Sequence, residues 1–361
     1  MSDANELISF IASMSGEGNL RVEENLGEGY VRLRVSEAER RQAKHDIQHV
    51  EDIVIEMLRN ARDAGADKVY LATAKEEGVR TLLFLDNGSG VPQDMQERIF
   101  DARVTSKLES MKMDRWGVHG RGMALFSIKQ NTDEARVVTS GVDLGSAFKV
   151  CVATDRLGER ADQSSWPQAV KDEDGRYVCA RGPHNIIRAA CEFALEELRC
   201  CDVYLGSPSE IAATLYAQAS SRLDTSRLLF IDDECELPVI DRLGLASDAE
   251  DFIRICSGLG LEMSERTAHR ILSGQIKPVR GVTARLLRER DSTSHTPAPV
   301  DLAKDRRGLR IAKDDMAQFS RAVERDFNDL AARYYLNLCG DPKIRVSRDR
   351  ITVTFDLAKE E

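Results

Sequence analysis

The sequence predicts an α+β protein, and three observations carry that prediction. Ile53, Met57, Leu58, Ala61 and Ala64 recur at helical spacing, with Gly65 as a stop. Residues 67–73 and 81–85 are β-branched, aromatic and apolar runs that read as strands close behind it. From about Leu237 the pattern turns helical. The expected domains are residues 1–225, mixed helix and strand; 226–297, helical and ending in a linker; and 298–361, a long helix with a β-hairpin.

Composition narrows the function classes. The chain has 361 residues and a net charge of −10, which argues against general adhesion to nucleic acid by its whole surface. A local basic patch remains compatible with that charge. The eight cysteines all lie from Cys151 onward, without a Cys-x-x-Cys pair or zinc-ligand spacing. Adjacent Cys200 and Cys201 cannot readily bridge each other, so free thiols in a reducing compartment are expected. There is no cleavable signal and no apolar run of membrane-spanning length, and the expected location is cytoplasmic.

In chain order, residues 5–14 carry Leu7, Ile8, Phe10, Ile11 and Met14 on one side of a helix. Residues 30–35 alternate as a strand. Ser36 with Glu39 is a capping-box pair opening a helix that carries His45 and His49. In the next helix Glu56, Asn60 and Asp63 stand at i, i+4 and i+7, which puts three polar groups on one face. Alone, that pattern reads as a solvated face. The strand 81–85 then ends at Asp86, followed by Gly88 and Gly90. A carboxylate there can accept a hydrogen bond from an exocyclic amine, while the bland reading is an ordinary Asp-Asn-Gly turn. Gly117-Val118-His119-Gly120-Arg121-Gly122 leads into a helical run from Met123. Backbone N–H groups of such a loop, backed by a helix N-terminus, suit phosphate oxygens. A Gly-x-x-x-x-Gly-Lys-Ser/Thr loop is absent from the sequence.

Carboxylate helix, strand–Asp–Gly loop and glycine loop–helix, in this order, resemble the nucleotide site of the GHKL ATPases, the group of gyrase B, MutL, the heat-shock chaperones and the sensor histidine kinases. Thr105-Ser106-Lys107 resembles a triplet of MutL, and the spacing from there to Ser127 is similar to the B subunit of topoisomerase VI. The resemblance implies a Bergerat-type two-layer α/β sandwich that binds ATP and Mg²⁺. It implies Glu56 as general base, Asn60 holding Mg²⁺ against the phosphates, and Asp86 reading adenine. It places Asp63, Gly88 and Gly90 at the base pocket. Gly117, His119, Gly120, Arg121 and Gly122 fall at the phosphates, with Lys107 reaching in from a lid. Two departures stand out. Arg59 occupies a position where relatives carry an acidic or small polar residue, and residues 181–187, with His184, lack the threonine of the family's later Gly-Thr element. Histidine-kinase chemistry is disfavoured because only ten residues separate His45 from Glu56, too few for a helical hairpin.

The rest of the chain is read from its residues. Residues 92–116 form a long polar segment expected to act as a lid. Residues 135–140 and 146–154 read as strands joined by a turn at 141–145. Residues 162–175 read as a surface excursion, 177–180 and 185–193 as continuing the sheet or leading from it, and 207–221 as a helix. Residues 248–257 and 264–274 read as helices, and 291–299 as a Ser/Thr/Pro linker. Between Arg266 and Arg290 there are seven Lys/Arg and one acid, Glu289. Arg266, Arg270, Lys277 and Arg280 are therefore candidate phosphate contacts, with a solvated helix pair as the equal alternative. The stretch also resembles the helix-two-turn-helix insert of topoisomerase VI. Residues 314–338 read as one helix with Met316, Phe319, Val323, Phe327, Leu330 and Tyr334 as its apolar stripe, followed by a hairpin at 343–346 and 350–356.

The expected function is a Mg-dependent ATPase whose nucleotide state gates a conformation or a homodimer, acting on DNA or with a separate DNA-cleaving or DNA-processing subunit. The alternative is a chaperone-like or regulatory ATP switch without nucleic acid.

Overall fold

The computed structural model describes residues 22–106, 112–114, 116–119, 122–160, 162–223, 233–287, 313–331, 336–346 and 351–359. The expected helix at 5–14, the linker at 291–299, Lys107, Gly120 and Arg121 lie outside them. Strands β1 (Val22–Gly27) and β2 (Tyr30–Leu33) form an antiparallel hairpin. Helix α1 (Glu37–Asp46) opens at the expected capping box. The Ser36 hydroxyl accepts the Glu39 N–H at 3.3 Å, and the Glu39 carboxylate accepts the Ser36 N–H at 2.9 Å.

The single helix expected to carry both histidines is two helices. α1 contains His45 and stops, and His49 stands at the N-terminal cap of α2 (Val50–Asp63). Between them Ile47 is extended and buried in the core. The Asp52 carboxylate accepts the backbone N–H groups of Gln48 and His49, both at 2.9 Å, so a fresh helix start is already satisfied.

Strands β3 (Lys68–Glu76) and β4 (Val79–Asp86) follow as an antiparallel pair. The segment expected to be one polar lid is packed over its first half. Met95, Ile99, Phe100 and Val104 are buried, and β5 (Val104–Thr105) pairs with β2. Four apolar side chains spaced through a polar stretch were enough to anchor it. Beyond it come a small hairpin of β6 (Lys112–Asp114) and β7 (Gly117–His119), helix α3 (Ala124–Asn131), and strands β8 (Glu134–Ser140) and β9 (Ser146–Ala153).

Within the expected excursion, β10 (Gln168–Lys171) pairs with β11 (Tyr177–Arg181) in a two-stranded sheet of their own. Residues 185–193 lead away from the main sheet as helix α4 (Ile186–Glu196), capped by buried Asn185, whose side chain accepts the Arg188 N–H at 2.8 Å. Strand β12 (Asp202–Gly206) was not expected, although Val203-Tyr204-Leu205 between Asp202 and Gly206 is a short strand-like run. Helices α5 (Pro208–Arg222), α6 (Ala249–Gly258) and α7 (Glu265–Leu272) complete this unit, which runs from Met1 to Arg288.

The main sheet has the order β12-β3-β4-β9-β8, with β12 parallel to β3 and the other pairs antiparallel. Alternation along each strand sorts side chains onto two faces. Val69, Leu71, Leu82, Phe84, Phe148 and Val150 pack with Ile53, Met57 and Leu58 of α2 and with Phe193 of α4. Tyr70, Ala72, Leu83, Leu85 and Ala147 pack with Ile211 of α5, Phe252 of α6 and Ile271 of α7. Both faces are covered, which is why residues 82–85 form an unbroken apolar run rather than an alternating one.

Residues 289–361 form a separate unit. Helix α8 (Lys313–Ala331) is followed by two antiparallel pairs: β13 (Leu336–Leu338) with β16 (Leu357–Lys359), and β14 (Lys343–Val346) with β15 (Ile351–Thr354). The expected helix therefore ends before Leu336. Phe327 stacks on Phe355 with ring centroids 4.0 Å apart, but Phe319 and Leu330 are exposed at 42% and 48%. A helix of 19 residues, about 28 Å long, outreaches strands of three and four residues, so part of its stripe stays uncovered.

One glycine ties the sheet end to its neighbouring turn. Gly90 has φ +70°, and a Cβ on it would sit 1.8 Å from the Gly141 carbonyl oxygen. Gly90→Ala is expected to destabilise the protein by at least ~2 kcal/mol. A lower urea midpoint reads this out, and an unchanged midpoint would mean that the turn at 141–145 simply moves aside.

Candidate functional site

Helix α2, the end of β4 and the start of α3 enclose a cavity of about 450 Å³. Helical spacing delivers its first wall: Glu56, Asn60 and Asp63 all line it from one face of α2. Asp86 lines it from the last position of β4, held between Val69 of β3 and Ser146 of β9. Asp86 is 4% exposed, and its Oδ1 accepts the Gly88 N–H at 2.8 Å. Asn87 is a fastener rather than a wall. Its side-chain carbonyl accepts the backbone N–H groups of Asp67 and Lys68 at 3.1 and 2.9 Å, which locks the end of β4 to the start of β3.

Gly90 and Gly122 also line the cavity. Gly88 serves the packing of the loop on α2, because a Cβ there would meet the Ala64 Cβ and carbonyl oxygen at 2.9 Å. Gly117 and His119 fall in β7, opposite Asp114 and Lys112. Apolar walls come from Ile47, Met57, Phe84, Val91, Ile99 and Phe148. A cleft of this size, in which polar and charged groups converge between apolar walls, is a usual form of a small-molecule site.

The two acids of α2 that line the cavity, Glu56 and Asp63, are each held by an arginine of the same helix. Arg59 donates from Nη1 to Glu56 Oε1 at 2.6 Å. Arg62 donates from Nε to Asp63 Oδ1 at 2.9 Å and from Nη1 to Glu197 Oε1 at 3.0 Å. On the opposite rim, burial pushes the Tyr30 phenol above its ordinary pKa, against the opposing pull of a hydrogen bond with Ser106.

Two polar atoms in the cavity wall are buried without a hydrogen-bond partner: Asn60 Nδ2 and the hydroxyl oxygen of Ser127 on α3. Ser127 is 1% exposed. Buried polar groups are rarely left unpaired, so both atoms point to a ligand. These residues fit ATP with Mg²⁺. The amide of Asn60 offers a hard oxygen of the kind Mg²⁺ takes, and its half-turn exchanges oxygen for nitrogen. Asp86 offers a carboxylate at a dry strand end. Reading the sequence missed Ser127 and the ion pair of Arg59. Ser127 was detectable only by its place one turn into the helix behind the glycine loop.

Elsewhere, Arg266 and Arg270 lie one helical turn apart on α7 and line a shallow depression with His269, Ser273 and Gln275. Lys277 and Arg280 are exposed in the loop beyond. Among the described residues no cluster of His, Cys, Asp and Glu could hold a metal ion by itself. No helix among them is long and apolar enough to cross a membrane. All eight cysteines are free.

Comparison with known proteins falls on the same stretch. The family described as "Histidine kinase-, DNA gyrase B-, and HSP90-like ATPase" matches residues 47–148, which run from the buried residue before α2 to the centre of β9. The DNA mismatch repair protein MutL of Brucella abortus is 35% identical over 112 residues, which are 31% of this chain and 18% of that protein. MutL of Thermodesulfovibrio yellowstonii is 31% identical over 107 residues, 29% of this chain and 19% of its own length. MutL of Allorhizobium ampelinum is 36% identical over 106 residues, 29% of this chain and 16% of its own length. The chain thus spans less than a fifth of each of these relatives. The cavity walls from α2, the end of β4 and the start of α3 lie within the matched residues, and the stretch 47–148 matches the GHKL ATPase family and is similar in sequence to MutL.

Proposed function

We propose that the protein binds ATP with Mg²⁺ and hydrolyses it, and that the nucleotide state gates a conformation or a homodimer in DNA processing. One observation carries this reading: Glu56, Asn60, Asp63, Asp86, Gly90 and Gly122, from separate stretches of the chain, line a single cavity. In this reading Glu56 takes a proton from the attacking water as its oxygen bonds to the terminal phosphorus, and the bond from that phosphorus to the ADP oxygen breaks. Asp86 accepts a hydrogen bond from the adenine amine, and Asp63, kept in place by Arg62, backs the base pocket. Asn60 would hold Mg²⁺, which neutralises phosphate charge when bound. Gly117, His119, Gly120, Arg121, Gly122 and Lys107 belong to the phosphate side. Ser127 joins them from α3.

Glu56→Ala is expected to lower the rate of ATP hydrolysis by ~10²–10⁴-fold while nucleotide binding, measured directly, persists. Loss of binding in both proteins would sink the reading. Asp86→Asn retains an acceptor for the Gly88 N–H but turns an amide N–H₂ toward the adenine amine. It should keep the fold and weaken ATP binding by roughly 10–100-fold, with a smaller penalty for a nucleotide that lacks the exocyclic amine. Ser127→Ala removes an unpartnered buried hydroxyl, so the ligand-free protein should be unchanged or slightly more stable. The thermal shift on adding ATP should shrink. A loss of ligand-free stability instead would assign Ser127 to packing.

The DNA side of the proposal rests on the exposed cations Arg266, Arg270, Lys277 and Arg280. Replacing Arg266 and Arg270 by Glu should abolish salt-sensitive retention on duplex DNA and leave basal hydrolysis intact. If wild-type protein is not retained on DNA at low salt, the regulatory switch without nucleic acid is the better reading.

A further inference from the structure

We propose that Arg59 is a brake on hydrolysis, holding the Glu56 carboxylate as its own hydrogen-bond acceptor and so opposing the proton transfer that Glu56 performs. The inference rests on the reading of Glu56 as general base.

The geometry is local. Arg59 follows Glu56 by three positions on α2, which makes the two side chains neighbours on the helix surface. Nη1 of Arg59 donates to Oε1 of Glu56 at 2.6 Å. The Arg59 side chain is 3% exposed and that of Glu56 22%, and both residues line the cavity. Leaving Glu56 would cost this buried side chain a charge-assisted hydrogen bond in a dry place. The pair is therefore unlike an exposed ion pair, which forms and breaks at little cost.

The chemical consequence concerns the moment of proton transfer. When Glu56 takes a proton from water, its carboxylate becomes neutral. The interaction with the Arg59 charge weakens at the same moment, so the transition state loses an interaction that the ground state had. The neighbouring acid on the helix shows the contrast. Asp63 is held by Arg62, but in the proposed chemistry Asp63 keeps its charge throughout, so that pairing opposes nothing.

The test is steady-state hydrolysis with direct nucleotide binding on the full chain. The proteins are wild type, Arg59→Met, Arg59→Lys, Glu56→Ala and the double variant Glu56→Ala/Arg59→Met. Losing one charged hydrogen bond to the base should raise kcat of Arg59→Met by about tenfold, with KM and the nucleotide dissociation constant unchanged within about twofold. Arg59→Lys keeps the charge but loses the planar fork, so its kcat should rise less. It also serves where Arg59→Met fails to fold. A fall in kcat restored by Lys would overturn the proposal and make Arg59 a cation that assists the reaction. Equal kcat in wild type and both single Arg59 variants would overturn it too. The base assignment fails separately, if the double variant turns over as fast as Arg59→Met. If Glu56→Ala abolishes turnover and neither Arg59 variant is faster, the brake alone is wrong.

Discussion

The end of β4 is the fixed point on which the site depends. β4 is hydrogen-bonded on both edges, to β3 and β9, and packed on both faces by separate clusters of helices and side chains. A shift of one residue would unpack Leu82 and Phe84 from one cluster and Leu83 and Leu85 from the other, so the strand is held in register from both sides. Asp86 therefore stands where the sheet puts it, and Asn87 clamps that end to β3. A carboxylate in a dry environment is costly to hold unless it is hydrogen-bonded. The Gly88 N–H meets part of that need, and the rigidity of the strand keeps the group aimed at the cavity.

Opposite this rigid wall, α2 contributes its acids under local control. Each of the two cavity-lining carboxylates has an arginine from the same helix within hydrogen-bond distance. The helix that supplies the chemistry thus also supplies counter-charge. Arg62 reaches further, to Glu197 just beyond α4, and so couples the cavity wall to a helix outside the matched stretch. The site accordingly joins one wall set by long-range sheet pairing and one set by neighbours on a single helix.

That division explains what could be read in advance. Glu56, Asn60 and Asp63 were legible because helical periodicity is a local property, and Asp86 because an apolar run followed by glycines marks a strand end. Likewise the Ser36–Glu39 cap is written within four residues. The break at Ile47 was not legible, because a buried side chain and the Asp52 cap decide it rather than helix propensity. β12 is a five-residue strand, and so short a run as Val203-Tyr204-Leu205 is secured by its pairing with the open edge of β3. Ser127 was marked only by its place one turn into the helix behind the glycine loop, since an unpartnered hydroxyl is defined by the cavity around it. The stripe on α8 was read as core, but periodicity predicts which residues share a face and not how far a small unit can cover it.

The parallel pairing of β12 with β3 also separates ancestry from foldability. Asp202 lies opposite Lys68, so the sheet edge is closed by residues far outside the stretch that similarity recognises. An isolated fragment of residues 47–148 would present β3 as a bare edge beside a central strand robbed of α5 and α6, the template for intermolecular strand addition and aggregation. The stretch that evolution keeps recognisable is shorter than the piece that can live alone, and a ribosome must deliver residue 206 before that edge can be sheltered.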